Sequence, residues 1–353
     1  MPMVDKLNNG RILYMDALKG FAILLVVMGH TIAWNFNDRN IVLFENNQPD
    51  NIRIAGLFFQ FIYSFHMPLF FLISGFFSYK ETCILKKQMK KKTITYFVPY
   101  LFSGVIIYSM FGGNDFGYWF LLSLFELSVL SAFFSKFSPL FNKTKSILLD
   151  LFILFLPYLA LQYILLRSYF NVPYIEIWKF GYYYVAFFCG YLLKKYDTQL
   201  FEVFVGKKYL TVFFVTFLLS FLYRYLEISE SEQIHKVIKF LLFHVIYDFT
   251  LPLSGCLFFV SLFRICEDSK IKNLFSEIGK YTLGIYLFHM FFVIQIPAIG
   301  NFWLTTNLST VLSTQICYSA ICSLVAISIS IVITKIVSKS TLFNFLLLGK
   351  YKE

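Results

Sequence analysis

Residues 11–30 read RILYMDALKGFAILLVVMGH, and Phe21–Met28 within them are apolar without a break. Gly29 and His30 follow, then an amphipathic stretch. That is not a small-residue cleavage site, so the run reads as a retained first membrane span and not as a secretory leader. Longer blocks of the same kind recur at Leu151–Leu166, Leu210–Leu222 and Ala320–Ile333. Widened by mostly uncharged flanks to ~20 residues, such blocks are bilayer-spanning helices. Composition agrees. Of 353 residues, 58% are hydrophobic and 14% charged, where a soluble domain carries about a quarter charged residues. The mean hydropathy is +0.67. With 46 Phe and 24 Tyr, there is more apolar surface than a core of this size can hide. The fold class is all-α, a polytopic membrane helix bundle.

The apolar blocks give about ten spans in a single transmembrane domain over residues 1–353. They run 15–35, 57–79, 94–111, 117–135, 147–166, 177–193, 209–225, 237–263, 281–298 and 310–334. The eighth is long enough to tilt or break near Pro252, and Leu342–Leu348 is too short to span and reads as interfacial. With the N-terminus placed inside, 23 Lys and Arg residues fall on inner segments and 7 on outer ones. That bias places both termini in the cytoplasm. It also accounts for the formal charge of +11, so no nucleic-acid partner is needed to explain it. The six Cys residues are scattered through apolar segments without metal-ligand spacing and read as small hydrophobes. No metal site, Walker loop, GxGxxG turn, GxSxG elbow or HExxH pair occurs.

Ionisable side chains inside the hydrocarbon are costly, so each is a functional candidate. On the first span, Lys19 and His30 point about 20° apart around the helix and lie ~16 Å apart along it. Asp16 sits about one turn before Lys19. The structural alternative is an interfacial Asp16–Lys19 pair with His30 hydrogen-bonded between helices. The second span carries Ser64-Phe-His66-Met-Pro68. Pro68 removes the helical bond to the Ser64 carbonyl and opens the backbone beside His66. His66 falls at a depth comparable with His30, which suggests a buried polar site; the alternative is a histidine that only caps the disturbed turn. Further intramembrane polar residues are Glu126, His244, Asp248 and His289. His244 and Asp248 satisfy each other at i, i+4, Glu126 reads as interhelical glue, and His289 suits interhelical bonding as well as chemistry.

Asp16-Ala-Leu-Lys19-Gly with His30, then Phe65-His66-Met-Pro-Leu-Phe-Phe-Leu-Ile-Ser74-Gly75, closely resembles the acyltransferase-3 family of integral membrane O-acyltransferases. The resemblance is strongest to its fucose 4-O-acetylase-like branch. Tyr118-Trp-Phe-Leu, Phe188-Cys-Gly190-Tyr-Leu-Leu and Tyr281-Thr-Leu-Gly-Ile-Tyr-Leu-Phe-His289 follow in the family's order, so the likeness covers nearly the whole chain. It implies about ten spans in a bacterial inner membrane. It also implies transfer of acyl groups, usually acetyl from acetyl-CoA, onto sugars of surface or exported glycans, including lipid-linked ones. The family's essential histidine corresponds to His30 and its basic residue eleven positions earlier to Lys19. The family usually has Arg there, and Lys keeps the charge but loses the two-pronged donor. The family's two Arg residues before the third span have no match; Lys86-Lys87-Gln-Met-Lys90-Lys91-Lys92 stands in their place.

Moving an acyl group from a thioester to a hydroxyl needs a base, a donor for the developing oxyanion, and alignment. The expectation is that His30 is the base, neutral and able to take a proton at pH 7, while His66 orients the acyl carbonyl or the acceptor. Anionic acetyl-CoA, a substrate and not a resident cofactor, meets Lys86, Lys87, Lys90, Lys91 and Lys92 and then Lys19, with Asp16 beside it. The pantetheine arm reaches roughly 16–20 Å toward His30. For the lysine cluster, plain positive-inside topology is the alternative. A glycan or lipid transporter or flippase is the competing class, but it has no evident use for Lys19, His30 and His66 together. A purely structural subunit is disfavoured by the number of buried ionisable groups.

Overall fold

The computed structural model describes residues 12–35, 50–81, 84–111, 118–141, 146–167, 177–196, 207–225, 249–266, 269–293 and 312–350. Every regular element among them is a helix. In chain order these are α1 (Leu13–Asn35), α2 (Asp50–Ser78) and α3 (Leu85–Lys92), which runs through a π-turn at Thr93–Phe97 into α4 (Val98–Phe111). Then come α5 (Trp119–Phe141), α6 (Ile147–Arg167), α7 (Ile177–Lys195), α8 (Lys207–Tyr225), α9 (Leu251–Ile265) and α10 (Lys270–Gly279). Last are α11 (Thr282–Phe288) with a 3₁₀ turn at His289–Phe291, α12 (Leu312–Val337) and α13 (Thr341–Leu348).

A helix lies in each apolar block, and among the described residues four are long and apolar enough to cross a bilayer. These are Leu13–Ala33, Leu57–Ser78, Trp119–Leu140 and Leu312–Val337; shorter apolar helices occupy Ile147–Leu159, Tyr209–Tyr223, Leu251–Ile265 and Thr282–Phe291. In the eighth span α9 begins at Leu251, with Pro252 in its first turn, where a missing N–H costs nothing. His244 and Asp248 lie outside the described residues. The inner segment between the eighth and ninth spans is not a plain loop, because it folds as α10.

One helix, α12, is inside out by the standards of a water-soluble protein. The buried face of α12 is Gln315, Ser319, Cys322, Ser323, Ala326, Ile327, Ser330 and Thr334. Its exposed face carries Ile321, Leu324, Val325, Val332 and Ile336. Small and hydroxylated residues facing inward with aliphatic ones facing outward is the pattern of helices packed in lipid. Ser330 and Thr334 return their hydroxyl hydrogens to the Ala326 and Ser330 carbonyls at 2.7 Å each, so no donor is stranded. On α6, Leu148, Leu151, Phe152, Phe155, Leu156 and Leu159 are exposed, an apolar area too large for contact with water.

The chain divides into two compact units, Met1–Met67 with Lys207–Lys335, and Pro68–Gly206 with Ile336–Glu353. In the first, α1 packs along α10, and the backbones meet. A Cβ on Gly20 would fall on the Phe275 carbonyl oxygen, and one on Gly279 on the Asp16 carbonyl oxygen. The contact closes over aromatic packing, with the Phe21 ring 5.0 Å from Phe259 and 5.8 Å from Phe275. Phe65 stacks on Phe259 at 4.5 Å. In the second unit α2 and α7 meet in the same way, a Cβ on Gly75 falling on the Phe187 carbonyl and one on Gly190 on the Leu72 carbonyl. There α13 packs against α4. Ser340 caps its start by accepting from the Phe343 N–H, and Gly349 ends it at φ 59°, a left-handed turn suited to glycine.

Candidate active site

Among the described residues, three histidines gather in the first unit: His30, His66 and His289. At Gly29 of α1 an added Cβ would lie 2.9 Å from the Tyr63 ring, so the absent side chain lets α2 sit close. Tyr63 in turn meets His66 edge-on, with centroids 4.7 Å apart. The His30 ring lies 5.4 Å from that of His289, and both His66 and His289 are near enough to act on His30 electrostatically. His66 and His289 are 3% and 1% exposed. His30 is half-buried.

The tautomers follow from the partners. His66 places Nδ1 2.7 Å from the Ile62 carbonyl oxygen. His289 places Nδ1 2.9 Å from the carbonyls of both Ile285 and Tyr286. A carbonyl only accepts, so each Nδ1 carries the proton and donates it, and each Nε2 of the neutral ring is left as a bare lone pair. His66 therefore bonds the carbonyl one turn back, while α2 runs on through Pro68 without a break. Pro68 interrupts the ladder but does not open the helix.

At the other end of α1, Lys19 donates to the Asp16 carboxylate at 3.2 Å. Asp16 is buried, and the Lys19 side chain keeps 28% of its surface. This is the ion pair that the i, i+3 spacing predicts. The Asp16 backbone is also the group that Gly279 of α10 touches. Sequence reasoning passed over α10 and with it Lys272, 4% exposed, whose ammonium donates to the Cys266 carbonyl at 3.3 Å.

The lysine cluster belongs to the second unit. Lys86, Lys87, Lys90 and Lys91 project from α3 into the open, and Lys92 is half-buried at its end. Lys92 donates to the Ser78 hydroxyl at 3.2 Å and lies 5.5 Å over the Tyr96 ring. Burial, with Lys91 and Lys80 close by, pushes its pKa down to about 8. Among the described residues no group of three His, Cys, Asp or Glu side chains is arranged to hold a metal ion. His289 was visible in sequence as an intramembrane histidine; only the helix packing brings it beside His30.

Comparison with known proteins gives the chemistry a family. The acyltransferase domain model of the acyltransferase-3 family matches residues 12–335. The nodulation protein NolL of Sinorhizobium fredii is 29% identical over 154 residues, an alignment that covers 37% of this chain and 39% of that protein. The match thus spans about two fifths of the relative's length, and no solved structure matches. A family model running from the first residues of α1 almost to the end of α12 takes in all three histidines and the Asp16–Lys19 pair, and the chain belongs to the acyltransferase-3 family.

Proposed function

We propose that this membrane acyltransferase transfers acetyl from acetyl-CoA to a hydroxyl of a cell-surface or exported glycan. It works in the bacterial cytoplasmic membrane, with about ten spans and both termini on the cytoplasmic side. One observation carries the reading: the half-buried His30 imidazole, toward the C-terminal end of the long apolar helix α1, lies near both His289 and His66, and each of those rings keeps Nε2 as a lone pair. Such a site takes protons from hydroxyls.

In the reaction the acceptor oxygen attacks the thioester carbonyl carbon while its proton passes to His30. The tetrahedral intermediate then expels the CoA thiolate, which takes up a proton. The bond formed is the ester C–O and the bond broken is C–S. His66, with a lone pair at Nε2, acts on the acceptor and not on the acyl carbonyl, since a carbonyl needs a donor. Lys19 and the α3 lysines supply positive charge for the anionic donor. The test compares surface glycan from cells with and without the gene, by mass and by NMR. The reading expects an O-acetyl group present only with the gene. Identical glycans, with the protein expressed, contradict it.

A further inference from the structure

His289 has a property that the acyl-transfer scheme does not use. It is 1% exposed, its Nδ1 is committed to the Ile285 and Tyr286 carbonyls, and its Nε2 is buried with no hydrogen-bond partner among the described residues. Leaving a buried acceptor unpaired is costly. The helix that carries the ring is closely packed: Gly284, five residues back, lies so near α12 that a Cβ there would meet the Thr334 side chain, and the chain turns from α11 into a 3₁₀ turn at His289. An unpaired acceptor on a ring whose centroid lies 5.4 Å from that of His30 fits a ligand that brings its own O–H or N–H.

We propose that His289 Nε2 holds the acyl acceptor by taking a hydrogen bond from a second hydroxyl of the sugar, next to the one that reacts. This rests on the acyl-transfer reading above. A hydroxyl has a single proton, and the reacting one gives it to His30, so the bond to His289 comes from another O–H of the same molecule. The acceptor is then a polyol with at least two free hydroxyls close together, and His289 is a positioning residue for it.

The test uses the full-length protein in membranes, supplied with acetyl-CoA and with unacylated surface glycan purified from cells lacking the gene. Transfer to the glycan and transfer to water are measured side by side. His289→Phe keeps a flat ring but has no lone pair; His289→Gln keeps an acceptor oxygen. The glycan-to-water ratio is expected to fall roughly 10–100-fold in His289→Phe, mainly through a higher KM for the glycan, and to be largely restored in His289→Gln. His289→Phe with an unchanged ratio overturns the proposal, and so does equal loss of transfer to glycan and to water. ¹⁵N-histidine NMR of the wild-type protein reads binding without turnover. The Nε2 resonance, assigned by its absence in His289→Phe, shifts on adding the unacylated glycan if the proposal holds, and an unmoved resonance contradicts it. Should the wild-type protein transfer no acetyl at all, the acyl-transfer reading fails while this resonance still decides whether His289 binds the glycan.

Discussion

In the first unit α1 meets α10 through Gly20 and Gly279, and in the second α2 meets α7 through Gly75 and Gly190. Both crossings bring backbones into contact where lipid gives helices little other reason to associate. Each unit also buries ionisable side chains, and there they diverge. In the second, Asp150 is fully buried and its oxygens accept from Ser138 at 3.0 Å, Tyr196 at 2.8 Å and Lys195. Lys195 also donates to Ser138 at 2.8 Å. That network is closed and ties α5, α6 and α7 together. In the first, His289 keeps one nitrogen bound to backbone and one with no partner among the described residues. A closed network specifies a fold, whereas an open buried acceptor leaves a bond for a ligand or a water to complete.

The closed network gives the largest expected effect on stability. Asp150→Ala strands the Lys195 ammonium and should destabilise the protein by about 3–5 kcal/mol, measured by thermal unfolding in detergent. Protein that remains folded should transfer acetyl normally per molecule. Adding Lys195→Met should recover much of the stability, because a missing pair is milder than half of one. If the single variant is as stable as wild type, Asp150 is not the closed centre described here.

The glycine crossings come next. Gly20→Ala and Gly75→Ala each place a methyl group on a carbonyl oxygen of the facing helix, and each should cost about 1–3 kcal/mol. The comparison is sharpened by their activities. Gly20→Ala shifts the helix that carries Lys19 and His30 and should impair transfer beyond its loss of folded protein. Gly75→Ala should track folded protein alone.

Smaller effects belong to the lysines. Lys19→Ala should lose most acyl transfer, roughly 10-fold or more, with insertion intact, and Lys19→Arg should retain or gain activity. Normal acetylation by Lys19→Ala contradicts the role given to Lys19. Lys92 loses its charge as the pH rises through about 8, so apparent affinity for acetyl-CoA should weaken across that pH. Lys92→Arg, whose guanidinium stays protonated, should flatten the step, and an unchanged profile removes Lys92 from the donor path.

Much of the helix pattern was legible in the sequence, because long apolar blocks have few alternatives in a chain so poor in charge. The Asp16–Lys19 pair was legible too, being a contact within one turn. What stayed hidden depends on distant residues. Lys270, Lys272 and Lys280 made α10 look like an inner loop, and its place against α1 comes from the Gly20–Gly279 contact, which no local pattern encodes. Asp150 stands at the edge of an apolar block, and its partners lie 12 to 46 positions away. The His30–His289 approach joins residues 30 and 289 through helix packing. The His66 tautomer needed the Ile62 carbonyl distance; of the two roles open to it in the sequence, orienting the acyl carbonyl or the acceptor, a lone pair at Nε2 suits the acceptor.

The central claim is that His30 takes the proton of the acceptor hydroxyl, and His30→Gln tests it most directly. Glutamine can keep a hydrogen bond at that position but cannot accept a proton at neutral pH. Acetyl transfer to glycan should be measured at matched protein levels in wild type, His30→Gln and His30→Ala, alongside acetyl-CoA binding. The account predicts that both variants insert, bind acetyl-CoA and lose roughly 10²–10⁴-fold in rate. Substantial acetylation by a well-expressed His30→Gln protein would mean that His30 serves only as a hydrogen-bonding residue, and it would contradict the mechanism while leaving the family membership intact.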